Sequence, residues 1–103
     1  MTTFVLVHGA FHGGWCWREV AAGLRGRGHL VFTPTMTGLG ERAHLATPEV
    51  DLETHIEDIA NVLIWEDLEG VVLVGHSYGG LVVGGVAERL PERLAALIYL
   101  DAI

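Results

Sequence analysis

The chain has 103 residues, half of them apolar and 18% charged, a balance that suits one packed domain or part of one and excludes a disordered segment. Thirteen acids against six Lys and Arg give a formal net charge of -7, so a phosphate backbone is repelled and nucleic-acid binding is excluded as a function class. Cys16 is the single cysteine, which rules out an intrachain disulfide and is expected to be a small buried thiol in a reducing compartment.

Met1 leads almost at once into the strand-like Phe4-Val5-Leu6-Val7. There is no basic leader, no long apolar core of a signal peptide and no run near the ~20 residues that span a bilayer. A cytoplasmic protein without a membrane partner is the expectation. The glycine-rich run His8-Gly9-Ala10-Phe11-His12-Gly13-Gly14 follows, then a helical pattern over 15–27, with Trp17, Val20, Ala21 and Leu24 at three- and four-residue steps and Gly26 and Gly28 as stops. A second strand covers 29–33.

The stretch from Pro34 to Pro48, with Thr35, Thr37, Gly38, Gly40, Glu41 and His44, is the one long irregular segment, either a pocket wall or a solvated connection. After Asp51, Leu52, Ile56, Ile59 and Leu63 mark a second helix. A third strand covers 71–74, and a third helix begins just after Ser77, burying Leu81, Val82, Val86 and Leu90 before Pro91 ends it. The fourth strand covers 97–100. This βαβαβαβ order predicts an α/β fold, a parallel doubly wound sheet with helices on both faces, whose ligands bind at the carboxyl ends of the strands.

One such end reads Gly75-His76-Ser77-Tyr78-Gly79-Gly80, a Gly-x-Ser-x-Gly turn between a strand and a helix. Small neighbours let strand and helix pack closely while the hydroxyl of Ser77, the chain's single serine, projects above the sheet at a helix N-terminus. The loop after the first strand supplies the complement. In acyl transfer the carbonyl oxygen becomes an anion, and the backbone N–H groups of Ala10 and Tyr78 are the expected oxyanion donors. Phe11, with Tyr78 and Trp15, adds apolar surface and is the candidate pocket residue for a bulky or aromatic small-molecule ester. His8 and His12 lie four apart but on a loop, so neither a metal nor a cofactor is assigned.

The segments FVLVHGAFHGGWCW (4–17), TPTMTGLGERAHL (33–45) and GHSYGG (75–80) resemble bacterial α/β-hydrolase esterases, pyrethroid-hydrolysing carboxylesterases included, and are similar to the plant methylesterase and hydroxynitrile lyase group. The resemblance implies an α/β-hydrolase fold and cleavage of carboxylic esters through an acyl-enzyme on Ser77. Within that group the lyases carry threonine where Gly9 stands and glutamate where His76 stands, so both positions favour ester hydrolysis. Thr35 departs from the aspartate of many hydrolases.

A serine nucleophile needs a histidine base oriented by an acid, and in this fold both follow the serine in the chain. All six histidines (8, 12, 29, 44, 55 and 76) precede Ser77, and they are expected to be loop-packing or surface groups. Asp101, at the end of the fourth strand, is a formal candidate for the acid, ranked below a residue outside the chain. Residues 1–103 are therefore expected to be the amino-terminal portion of a single α/β-hydrolase domain. Its cap, later strands, acid and base would lie in another segment or chain, which would leave these residues inactive and unstable alone. The alternatives are a catalytically silent ligand-binding module of the same fold and a hydroxynitrile lyase.

Overall fold

The computed structural model describes residues 1–102. Strand β1 (Thr3–Val7) leads through a 3-10 turn (Gly14–Trp17) into helix α1 (Arg18–Gly26), and β2 (Leu30–Phe32) follows. A second 3-10 turn (Gly40–Leu45) lies in the long connection to α2 (Leu52–Trp65). Then come β3 (Val71–His76), α3 (Gly79–Arg89) and β4 (Leu94–Leu100). The strands form one parallel sheet in the order β2-β1-β3-β4.

Alternation along the strands divides the core in two. Val5, Val7, Val71 and Leu73 pack against Ile56, Ile59 and Leu63 of α2 and Val82, Val83 and Val86 of α3. Leu6, Val31 and Val74 point the other way, against Trp17 and Ala21. Each fully buried aliphatic side chain contributes about 1.5–3 kcal/mol, and burial on both faces explains why the strands read as continuous apolar runs. The expected α/β sheet with helices on both faces is present.

Three expected placements differ. In α3 it is Val83 that is fully buried, while Leu81 is 43% exposed. The glycines decide this: a Cβ at Gly75 would lie 2.5 Å from the Gly79 carbonyl oxygen and 2.7 Å from Val83 Cγ2, so the helix presses its Val83 face onto β3. Val20, expected on the buried stripe of α1, is half exposed. Cys16 is exposed rather than buried, because the 3-10 turn has three residues per turn and points Gly14 and Trp17 inward together, leaving Trp15 and Cys16 outside. Partial desolvation still pushes the Cys16 thiol pKa up, away from reactive thiolate.

Helix α2 starts with a reciprocal cap: Thr54 N–H donates to Asp51 Oδ1 at 3.0 Å and Asp51 N–H to Thr54 Oγ1 at 3.2 Å. It ends where Arg93 donates to the Leu63 and Leu68 carbonyls at 3.2 and 3.0 Å. On β4, Leu94 and Leu97 reach the core while Ile98, Tyr99 and Leu100 are 42–53% exposed. Among the described residues no helix is long and apolar enough to cross a membrane.

Candidate active site

Ser77 stands between the last residue of β3 and the start of α3 with φ of +56°. A left-handed conformation costs a non-glycine residue about 1–2 kcal/mol and persists because the surroundings enforce it. On one side Gly75 lets the helix approach. On the other, a Cβ at Gly79 would meet the Val7 and His8 carbonyl oxygens at 2.7 Å, so the turn is wedged against the end of β1. The helix opens with Gly80 N–H donating to the Ser77 carbonyl at 2.9 Å and Leu81 N–H to that of Tyr78 at 3.0 Å.

The loop after β1 meets this turn at Gly9, where a Cβ would sit 3.3 Å from Ser77 Cβ. His8, fully buried, sets the loop's shape. Met36 N–H donates to its Nε2 at 3.0 Å, so the proton of the neutral ring is on Nδ1, which donates to the Gly9 carbonyl at 2.6 Å. His12 N–H donates to the same carbonyl at 3.2 Å. Because the peptide unit is planar and trans, fixing the Gly9 carbonyl aims the Ala10 N–H the opposite way. Among the described residues no hydrogen bond occupies the N–H of Ala10 or of Tyr78.

Burial lowers the His8 pKa, outweighing the Gly9 carbonyl and Glu41, which pull it up. The unfolded chain therefore takes up this proton first as pH falls, so the stability held by neutral His8 is complete above the ordinary histidine value of about 6.5 and diminishes below it. Denaturant midpoints measured from pH 7.5 to 5 are expected to fall in that window, with a flatter slope in His8→Gln. An unchanged slope would assign the proton elsewhere.

The long connection after β2 is tied down from both sides. Gly14 N–H donates to Thr35 Oγ1 at 2.8 Å, and that hydroxyl donates to Glu41 Oε2 at 2.7 Å. The Thr35 hydroxyl, chiefly, holds the Glu41 carboxyl below the usual range. Thr35 thus relays a bond from the β1 loop to the 3-10 turn. Two residues on, Thr37 gives its N–H and hydroxyl to the two oxygens of Asp58 at 2.7 and 2.8 Å. Its carbonyl receives His55 Nε2 at 2.9 Å, and His55 Nδ1 lies 2.7 Å from the Tyr78 hydroxyl. The connection is a wall beside the elbow rather than a loose link.

The sequence pattern described as "Alpha/beta hydrolase family" matches residues 4–103. The chain belongs to the α/β-hydrolase family. It is 58% identical over 102 residues to a carbendazim hydrolyzing esterase of Nocardioides sp. (strain SG-4G), covering 99% of this chain and 42% of that one. With the pyrethroid hydrolase of Sphingobium wenxiniae it shares 35% identity over 105 residues, covering 100% of this chain and 36% of the relative. Among solved structures, an extracellular alpha/beta-hydrolase from a Paenibacillus species superposes with a TM-score of 0.91 at 33% identity, covering 99% of this chain and 41% of that one. The chain spans about two-fifths of the length of these relatives.

In this α/β-hydrolase the fold brings Ser77, Gly9 and Tyr78 together at the carboxyl ends of β1 and β3. Phe11 is 95% exposed and forms no enclosed pocket wall. Asp101 is exposed with φ of +48°, and among the described residues no histidine or acid hydrogen-bonds the Ser77 hydroxyl. His76 turns to the α1 side, edge-on to Trp17 at 6.3 Å, where a cavity of about 290 Å³ is lined by His12, Cys16, Trp17, Val20, His76 and Leu100. That cavity adjoins the elbow from behind and does not include Ser77. No group of three or more potential metal ligands occurs among the described residues.

His8 packs the loop as expected and is fully buried, whereas His55, expected at the surface or as loop packing, is a buried helix residue in the site's frame. Each left a trace in the sequence: His8 directly follows the apolar run of β1, and His55 occupies the inner stripe of α2 beside Ile56 and Ile59. A buried polar side chain on such a stripe requires partners.

Proposed function

We propose that this chain carries the nucleophile and oxyanion-binding part of a serine esterase. Ser77 attacks the carbonyl carbon of a carboxylic ester, the alcohol departs, and water releases the acyl group from Ser77. The N–H groups of Ala10 and Tyr78 donate to the oxygen that becomes negative in each tetrahedral intermediate. The observation that carries this reading is the left-handed Ser77 at +56° in a strand-to-helix turn pressed against Gly9. Such strain is kept where a reactive group must be held in one orientation.

The base and its acid come from sequence beyond these residues, in keeping with the two-fifths of the relatives' length that the chain spans. The names of the relatives, with the exposed rings of Phe11 and Trp15 in the segment that follows β1, support a bulky aromatic ester as substrate. Gly9 disfavours a hydroxynitrile lyase, since a side chain there would stand against Ser77.

A fluorophosphonate probe tests the assignment on the full-length protein. The expected result is one covalent adduct per chain, mapped by mass spectrometry to the peptide containing Ser77. An adduct on another residue, or none in a folded protein that hydrolyses esters, refutes it.

A further inference from the structure

Helix α2 reaches the elbow through a continuous line of hydrogen bonds. His55 Nε2 faces the Thr37 carbonyl at 2.9 Å, and a carbonyl can only accept, so Nε2 carries the proton. Nδ1 of the neutral ring is then bare, and the Tyr78 hydroxyl, 2.7 Å away, donates to it. Thr37 is itself fixed by the two oxygens of Asp58, which sits on α2 one turn after His55. The two rings meet edge to face, 5.6 Å apart at 84°. His55 is 6% exposed, so its bonds are shielded from competing water.

The far end of this line is the residue after the nucleophile. The Tyr78 amide belongs to the peptide unit whose carbonyl, that of Ser77, accepts from Gly80 N–H at 2.9 Å. One end of the unit is held by α3 and the Tyr78 side chain by α2. With Ser77 strained at +56°, the turn otherwise gains by relaxing, and relaxation rotates this amide.

We infer that His55 is a positioning residue, which holds the Tyr78 ring so that the Tyr78 N–H stays aimed at the developing oxyanion, while Thr37 and Asp58 fix the tautomer of His55. This rests on the esterase reading above. It assigns His55 no contact with substrate and no proton transfer; its effect passes through the Tyr78 hydroxyl.

Steady-state hydrolysis of a p-nitrophenyl ester by the full-length protein tests it. Removing an oxyanion donor outright costs about 10²–10³ in kcat; loosening one is expected to cost less, about tenfold. Tyr78→Phe, which deletes one hydroxyl and keeps the ring, is expected to lower kcat by that amount with KM nearly unchanged. His55→Leu is expected to match it, the double variant to be no worse than either single, and His55→Gln, which retains an acceptor, to recover much of the loss. Should His55→Leu fail to fold, Tyr78→Phe decides alone. Ser77-dependent turnover that Tyr78→Phe leaves intact, or losses that multiply in the double variant, overturns the positioning role by itself. Turnover that survives Ser77→Ala overturns the esterase reading and this inference with it. The ring-nitrogen NMR shifts of His55 give a check without catalysis: a protonated Nδ1 and bare Nε2 would contradict the line of bonds.

Discussion

Ser77→Ala is expected to lower ester turnover by the full-length protein by roughly 10⁴–10⁶-fold, because the other members of a nucleophile–base–acid unit accomplish little once the nucleophile is gone. Residual rate would come from the oxyanion donors and binding alone. The substitution should leave stability nearly unchanged, since alanine must adopt the same left-handed backbone as serine. Ser77→Gly separates the two effects. It abolishes turnover equally, yet it removes the steric cost of a side chain at φ of +56° and is expected to stabilise the fold by about 1 kcal/mol. Turnover of a p-nitrophenyl ester and urea unfolding, measured on both variants, check this. An active alanine variant would remove Ser77 from the mechanism, and a destabilised glycine variant would show that the turn is not strained.

The second large effect is structural. Gly79→Ala would place a methyl 2.7 Å from two backbone carbonyl oxygens, those of Val7 and His8, neither of which can rotate away. Overpacking a tight contact costs about 1–3 kcal/mol, and the upper end applies where the obstacle is backbone in a central strand. Relief requires α3 to move off β1, which also pulls Tyr78 from Ala10, so fluorophosphonate labelling should fall along with the urea midpoint. Gly23→Ala supplies the contrast: it lies in the body of α1 with no atom beyond the neighbouring backbone of its own helix within 4 Å of the added methyl, and is expected to stabilise by about 0.5–1 kcal/mol. Equal responses from the two glycines would refute close packing at the elbow as the cause.

The layout of the sheet was legible because its signals are local. Four apolar runs, the glycines of the elbow and the stop at Pro91 each announce themselves within a few residues, and the expected strands at 71–74 and 97–100 needed only extension to Val71–His76 and Leu94–Leu100. The side of α3 that faces the sheet was not legible. Leu81 and Val83 are equally apolar, and their placement depends on how closely the glycines of the preceding strand and turn, Gly75 and Gly79, let the helix approach the sheet. Cys16 escaped for a related reason, since a 3-10 turn and an α-helix bury different residues of the same short segment. The roles of His8 and His55 depend on Met36, Thr37 and Tyr78 arriving from other parts of the chain, which no periodicity encodes. The nucleophile and its loop were readable for the opposite reason: their chemistry demands glycines at fixed neighbouring positions.

Strand β3 is hydrogen-bonded along both edges, to β1 from Val71 to Gly75 and to β4 as far as His76, and Val71 and Leu73 are fully buried. Such a strand exchanges its amide protons only when the whole unit opens, whereas the three-residue edge strand β2 can detach at lower cost. Ser77 is thus mounted on the segment that lets go last. The serine's orientation is then inherited from the most slowly unfolding part of the chain.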